Sequence, residues 1–274
     1  MNAPLVVKLG GALLDDAAST ATVVGALARV HAQAPGSLVV VHGGGVAIDR
    51  HLARLGMPTK RHNGIRITPP EQATEIASVL HGQVNTALVA ALLAAGAAAT
   101  GLRLTDGGLC TLAIDDTLGF DAGSVGRVTG GDASVVRALL RGGFLPVISS
   151  AGAAAGGAGP DTACLNVNAD DAAAAVAGIL GAGALVYLTD VNGVLDARGQ
   201  AIPAIDDDTF ERLCADGTIT GGMIPKVRSA LATSRTTGAP VVIASWKDPA
   251  ALAQLASGGA AGTRIESAPC AAEL

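Results

Sequence analysis

Glycine-rich stretches stand beside hydrophobic runs at five places in the chain. They read KLGG (8–11), HGGG (42–45), TDGG (105–108), TDVNG (189–193) and TGGMIPK (220–226). Glycine adopts unusual backbone angles and lets another group come close to the main chain. Exposed N–H groups at such positions bind anions. Each stretch alone is equally well explained as a turn, but the set predicts a backbone cradle for an anionic ligand.

Two lysines add a second chemical signal. The chain has only four lysines against fourteen arginines, and Lys8 and Lys226 lie within glycine-rich stretches. An ammonium is a compact point charge, whereas a guanidinium is a planar fork. Phosphoryl transfer needs cations placed around the oxygens of the moving group. The two lysines therefore indicate phosphoryl transfer. The alternative for Lys8 is a strand residue that extends its ammonium into solvent. Lys60, in KRHNGIR, is interpreted as a surface residue.

Several familiar sites are missing from the sequence. It contains no GxxxxGK[ST], no GxGxxG and no GxSxG, so phosphate-loop, dinucleotide and hydrolase interpretations lose their usual support. Its four cysteines form no CxxC pair, and its five histidines form no HExxH. We therefore expect no metal site made by the protein alone.

Composition limits the partners and the location. The chain has 274 residues, a net charge of −5 and only 2% aromatic residues, without a long basic run. This composition argues against nucleic acid and anionic membranes as partners. Apolar runs are interrupted by Gly, Asp, Arg or Pro, so no membrane span is predicted. The first residues indicate a strand and not a signal peptide, which predicts a cytoplasmic protein.

Short runs rich in β-branched residues alternate with longer segments rich in alanine and leucine. The predicted strands are 5–9, 38–42, 144–149, 184–190 and 240–245. The predicted helices are 17–33, 46–55, 70–95, 132–142, 169–180, 207–216 and 223–237. This alternation predicts an α/β fold with a mainly parallel sheet covered on both faces. Ligands bind such sheets where strands end and helices begin. The stretch 152–160 is predicted to be a hairpin-like surface loop.

Six motifs in order resemble the acetylglutamate kinases of the amino acid kinase family. They are VVKLGG, VVVHGGG, NGIRIT, LNVNADDAA, YLTDVNGVL and TGGMIPKV, and GTRI follows at 262–265. Each motif alone is weak, but the order and spacing hold from about residue 4 to residue 265. The closing segments IASW and GTRI are similar to the enterobacterial, arginine-insensitive type.

The resemblance implies a fold and an activity. The fold is an open αβα sandwich in one domain, 1–274, with an acetylglutamate-binding lobe at about 1–180 and an ATP-binding lobe at about 181–274. The activity is transfer of the ATP γ-phosphoryl group to the side-chain carboxylate of N-acetyl-L-glutamate, a step of arginine biosynthesis. Magnesium is expected to arrive on the ATP phosphates. The resemblance and the short N-terminus also predict a homodimer that is insensitive to arginine.

The resemblance assigns a role to each matching residue. Lys8 and Lys226 stabilise the transition state, and Asp170 orients them. Substrate binding falls to Gly44, Gly45, Arg66 and Asn166. Nucleotide binding is assigned to Gly11 and to two stretches. The first comprises Asp190, Val191, Asn192, Gly193, Val194 and Leu195, and the second comprises Thr218, Ile219 and Thr220.

Elementary chemistry agrees with two of these roles. A guanidinium forks a carboxylate, which suits Arg66. A carboxylate between two lysines stays ionised, which suits Asp170. Asp171 is interpreted as a helix cap. The nucleophile is a carboxylate that is already ionised, so no general base is needed.

Two alternatives stay open. One is a kinase that acts on aminoadipate or glutamate attached to an acidic carrier protein, which the KRHNGIR run would dock. The other is a non-catalytic sensor of the same fold that binds an amino acid or nucleotide. The pair of lysines argues against a sensor, because a sensor has no use for transition-state cations.

Overall fold

The computed structural model describes residues 3–156, 163–248 and 250–267. Its strands are β1 Leu5–Leu9, β2 Leu38–His42, β3 Lys60–His62, β4 Ile65–Ile67, β5 Ala99–Arg103, β6 Thr111–Ile114, β7 Gly126–Gly130, β8 Leu145–Ser149, β9 Ala151–Ala153, β10 Cys164–Asn166, β11 Ala184–Thr189, β12 Ala204–Ile205, β13 Val241–Ser245 and β14 Thr263–Ile265.

The helices alternate with these strands. They are α1 Gly11–Asp15, α2 Ala17–Gln33, α3 Gly45–Arg54, α4 Pro70–Ala77, α5 Thr86–Ala94, α6 Ser134–Arg141, α7 Ala169–Leu180, α8 Asp207–Ala215, α9 Met223–Thr237 and α10 Ala251–Ala256. A π-helical segment, Ser78–Asn85, joins α4 to α5.

Eight strands form one central sheet in the order β12-β14-β13-β11-β1-β2-β8-β5. Six of them are mutually parallel, and β14 runs antiparallel to β13. The strands that precede residue 181 form one half of the sheet and those that follow form the other, and β1 and β11 pair at the junction. The carboxyl ends of the parallel strands therefore meet at one edge, where ligands bind in such sheets. The predicted fold class is confirmed.

Alternate residues of each strand enter different hydrophobic clusters. In β1, Val6 belongs to the cluster that contains α7 and α9 residues, whereas Val7 belongs to the cluster that contains α2 and α5 residues. Successive side chains of a strand point to opposite faces, so helices cover both faces of the sheet. Lys8 follows the alternation of Val6 and therefore points toward the face that α7 and α9 cover.

The predicted major elements agree with the structure to within about two residues, which is the usual uncertainty of element ends. The sequence prediction missed the short strands, the terminal helix α10 and the edge strand β5. These elements are only two to six residues long and carry little periodicity. The helix cap of α7 is also different from the prediction. Asn168 accepts a hydrogen bond from the Asp170 N–H at 2.8 Å, and Asp171 lies inside the first turn.

Three two-stranded antiparallel sheets, β3–β4, β6–β7 and β9–β10, accompany the central sheet. Strands β3 and β4 pair Arg61 with Arg66, and β9 pairs with β10. Strand β9 begins the predicted loop 152–160 and β10 follows it, and residues 157–160 of that loop lie outside the described residues.

The helical stretch Pro70–Ala94 is 25 residues long and apolar enough to cross a membrane by length and composition alone. The sequence predicted one helix over the same stretch, 70–95, and 33% of its most apolar 18-residue window is buried. Buried helices of folded domains meet the same criteria. Here Ile76, Leu80, Leu88 and Leu92 are buried in the hydrophobic clusters.

Candidate active site

Three side chains named from the sequence come from different elements on one face of the sheet. Lys8 lies on β1, Asp170 in the first turn of α7 and Lys226 in the first turn of α9. Lys8 Nζ is 2.8 Å from Asp170 Oδ1. The side chain of Lys8 is 17% exposed and that of Asp170 is 48% exposed, so the ammonium is mostly covered while the carboxylate is open to solvent. Within the described residues Lys226 has no ion pair.

A cavity of about 190 Å³ opens on one side of Lys8. Its walls include Gly11, Gly43, Gly44, Gly45, Arg61, Arg66, Ser150, Asn166 and Asn168. Such a volume is small compared with pockets that hold drug-sized molecules, so it suits a small metabolite. The structure therefore brings together all four predicted substrate residues, with Gly11 from the predicted nucleotide set.

The glycines of this cavity let the loop after β2 pack closely against the loop after β1 and against the start of α7. A Cβ on Gly11 would lie 3.1 Å from the Gly45 nitrogen, and one on Gly43 would lie 3.0 Å from the Ala169 Cβ. Side chains would therefore separate the loops. Since α3 begins at Gly45, the N–H groups of its first turn have no acceptor inside the helix. These groups are available to an anion.

Arg66 is fixed inside the cavity wall. Its side chain is 5% exposed, Nη1 donates to Asp49 Oδ1 at 2.5 Å and Nη2 donates to the Gly45 carbonyl at 3.1 Å. Asn166, at the end of β10, donates to Thr68 Oγ1 at 3.3 Å. One guanidinium thus ties the β4 strand to the start of α3.

A second cavity, of about 430 Å³, opens on the other side of Lys8. Lys226, Asp170, Gly10, Tyr187, Thr189, Pro225 and Ser229 contribute to its walls. Lys8 also contributes to these walls and is therefore part of the wall of each cavity.

The profile of the amino acid kinase family matches residues 3–245. This covers most of the chain. The chain belongs to the amino acid kinase family.

Relatives and solved structures agree with this membership. An acetylglutamate kinase of Vibrio cholerae is 42% identical over 262 residues, which cover 96% of this chain and 97% of that protein. An acetylglutamate kinase of Aeromonas salmonicida is 42% identical over 261 residues, covering 95% and 97%. The crystal structure of smu.665 from Streptococcus mutans UA159 is 27% identical and covers 96% of this chain and 98% of that one, with a TM-score of 0.71.

The two stretches predicted to bind nucleotide, 190–195 and 218–220, do not line the second cavity. Residues 190–195 follow β11, whose last residue, Thr189, does line it. Val194 is buried, its N–H donates to Thr263 Oγ1 at 2.8 Å and its carbonyl accepts from the Ile202 N–H at 2.8 Å. Both its main-chain groups are therefore engaged.

In the second predicted stretch, 218–220, the middle residue is buried and the two flanking residues are at least partly exposed. Ile219 is buried in the core beneath α8 and α9, and its N–H donates to the Leu213 carbonyl. Thr220 is exposed and Thr218 is partly exposed. Only the flanking threonines of this stretch have side chains open to a ligand.

Sequence reasoning missed three polar residues of the site. Asp49 joins Arg66 to Arg61, whose Nη2 donates to Asp49 Oδ2 at 3.1 Å. The sequence feature that marks Asp49 is its position four residues after the start of the helix that follows HGGG. His42 and Asn85 form a buried pair beneath the glycines. Asn85 carries no local sequence signal, because the contact spans 43 residues.

Proposed function

We propose that this chain is an acetylglutamate kinase. It transfers the γ-phosphoryl group of ATP to the side-chain carboxylate of N-acetyl-L-glutamate and releases N-acetyl-L-glutamyl 5-phosphate and ADP, a step of arginine biosynthesis. The observation that carries the proposal is the position of Lys8, which lines both cavities and pairs with Asp170 at 2.8 Å.

The acceptor occupies the smaller cavity in this proposal. Arg66 recognises the carboxylate that does not react, and Asn166 contacts the acetamido group. The N–H groups of Gly44 and Gly45, with Gly11 beside them, meet the reacting carboxylate and the phosphoryl group. The support for this placement is that these residues line one cavity of metabolite size.

The nucleotide occupies the larger cavity, where Lys226 faces its phosphates. Its base and ribose extend toward residues 190–195 and 218–220. Among the described residues no cluster of three or more His, Cys, Asp or Glu side chains would hold a metal. The set of donors therefore fits Mg²⁺ that is carried by phosphate oxygens and water. When bound, Mg²⁺ neutralises charge on the phosphates.

The chemistry requires positioning and charge, not proton removal. The attacking carboxylate is already ionised at neutral pH, so no general base is needed. Lys8 and Lys226 approach the transferred group from β1 and α9 and balance the charge on its oxygens. Asp170 orients the Lys8 ammonium. In this proposal the lobe of about 1–180 supplies the acceptor site and the lobe of about 181–274 supplies the nucleotide site, in line with the two halves of the sheet.

The test is ATP-dependent formation of an acyl phosphate, trapped as the hydroxamate. The acceptors are N-acetylglutamate, glutamate, aspartate and N-acetyl-aminoadipate. We expect turnover with N-acetylglutamate alone, and a loss of about 100-fold or more in kcat for Lys8→Ala and Lys226→Ala. Lys60→Ala, at an exposed lysine of β3, is the matched control and retains activity.

Other results point to the alternatives. Activity only with a carrier-bound acidic residue identifies the carrier-protein kinase. Binding of ATP and acceptor without any turnover identifies a sensor.

We also propose a cytoplasmic homodimer whose activity arginine does not change. The support is the similarity of the closing segments to the arginine-insensitive type. Light scattering with and without arginine, together with the hydroxamate assay, tests both statements. A hexamer or inhibition by arginine overturns them.

A further inference from the structure

Two guanidinium groups lie opposite each other beside the smaller cavity. Arg61 on β3 is the direct register partner of Arg66 on β4. Like charges that face each other across an antiparallel pair destabilise it. Asp49 lies between them and accepts from Nη2 of Arg61 and Nη1 of Arg66. Partial burial opposes ionisation of Asp49, but the hydrogen bonds and charges of Arg66 and Arg61 outweigh it and lower its pKa.

One carboxylate balances only one of the two cations. The three side chains together carry a net positive charge that faces the cavity. Among the described residues that line this cavity, Lys8, Arg61 and Arg66 are cationic and none is a carboxylate. The cavity therefore suits an anion with two negative groups, one near Lys8 and one near the arginines.

The two arginines differ in how fully their donors are used. The side chain of Arg66 is 5% exposed, and its contacts with Asp49 and the Gly45 carbonyl hold it in the wall. The side chain of Arg61 is 44% exposed, and its contact with the Gly64 carbonyl is long, at 3.5 Å. A guanidinium has five N–H donors, so Arg61 keeps donors that are open to the cavity.

We propose that Arg61 is a substrate-binding residue that contacts the non-reacting carboxylate of the acceptor beside Arg66, and that Asp49 is the positioning residue that orients both guanidiniums. The inference rests on the proposed function, since it extends the acceptor site of the same reaction. It assigns to the exposed strand β3 a direct part in selecting an acceptor with two carboxylates.

The test combines a change in the protein with a change in the ligand. Acceptors are N-acetyl-L-glutamate and its α-carboxamide, which keeps the side-chain carboxylate but lacks the second charge. For Arg61→Ala we expect KM for N-acetylglutamate to rise about tenfold or more, with kcat little changed. KM for the carboxamide stays the same, because the lost partner is absent from that ligand. Arg61→Lys restores part of the affinity, since it keeps the charge but not the fork.

Lys60→Ala is the matched control, because Lys60 is the neighbouring exposed cation of the same strand. It leaves both KM values unchanged. Asp49→Asn raises KM for N-acetylglutamate more than for the carboxamide, because the arginines lose their common anchor. Circular dichroism and thermal melting check that each variant is folded.

A rise in KM for Arg61→Ala that is equal for both acceptors, or no larger than that for Lys60→Ala, overturns the proposal. Calorimetric titration of both acceptors repeats the comparison without turnover. If the protein binds N-acetylglutamate but transfers no phosphoryl group, the proposed function fails while the role of Arg61 is still decided. If it binds neither acceptor, both proposals fail.

Discussion

The Asn85 side chain donates one N–H to Nε2 of His42 at 3.0 Å and the other to the Val147 carbonyl at 2.9 Å. Nδ1 of His42 is 2.9 Å from the Gly43 carbonyl, which can only accept. Nδ1 therefore carries the proton and Nε2 is the acceptor. His42 thereby holds the peptide of Gly43, which lines the smaller cavity.

His42 is predicted to make the stability of the protein depend on pH. It is fully buried, and burial lowers its pKa from 6.5 to about 4, while the Gly43 hydrogen bond opposes the shift. Unfolded His42 takes up a proton near its ordinary pKa, whereas folded His42 stays neutral. The free energy of unfolding therefore falls as the pH drops from about 6.5 to about 4, by about 3 kcal/mol from this group. Urea unfolding across this range measures it.

His42→Gln removes a titrating group and keeps a hydrogen-bonding side chain. The difference in pH dependence between the wild type and this variant isolates His42 from the carboxylates that titrate in the same range. His62→Gln, at an exposed position of β3, is the control for the loss of a surface histidine. An equal slope for wild type and His42→Gln contradicts the prediction. Nitrogen NMR of His42 in the folded protein is expected to show the proton on Nδ1 at neutral pH.

Gly101 on β5 leaves the space that Asn85 occupies. A Cβ at this position would lie 2.1 Å from Asn85 Oδ1 and 3.3 Å from its Cγ. Gly101→Ala therefore has to displace the amide from His42 and Val147, and we expect it to destabilise the protein by about 1–3 kcal/mol. Gly82→Ala, in the same helical stretch as Asn85 but without an atom within 4 Å, is the control and is neutral or stabilising. Thermal melts of the two variants give the comparison, and equal melting temperatures contradict it.

Local pattern explains how much of this fold the sequence predicted. β1, β2, β8, β11 and β13 are continuous apolar runs buried on both faces, so their strands were predictable from residue type alone. The small hairpins and β12 are two to five residues long, and tertiary contacts decide them. Asn85 was not predictable either. It lies at the end of a π-helical segment and contacts His42. Nothing in the local sequence marks that segment apart from the helix around it.

Some residues of the candidate site were likewise predictable from local sequence, and others were not. Glycines and lysines at strand ends are visible in the sequence because their types are unusual at those positions, and Lys8 and Asp170 meet as expected. Asp49 lies on α3 and Arg61 on the short strand β3, and the hydrogen bond between them joins residues that are 12 positions apart. Their residue types are ordinary there, so only the structure shows that Arg61 lines the smaller cavity and that Asp49 joins it to Arg66.

Asp170 is predicted to act on the rate through Lys8 and not on the affinity for the acceptor. Its carboxylate holds the ammonium 2.8 Å away at the wall shared by both cavities. Asp170→Asn removes the charge but keeps the shape, so Lys8 loses its fixed orientation at the point of transfer. We expect kcat to fall about 100-fold while KM for N-acetylglutamate changes less than about threefold. Asp171→Asn, one residue further along the same helical turn, keeps kcat near the wild-type value. Steady-state kinetics decide between the two, since equal losses for both variants would mean that general negative charge, and not contact with Lys8, is what matters.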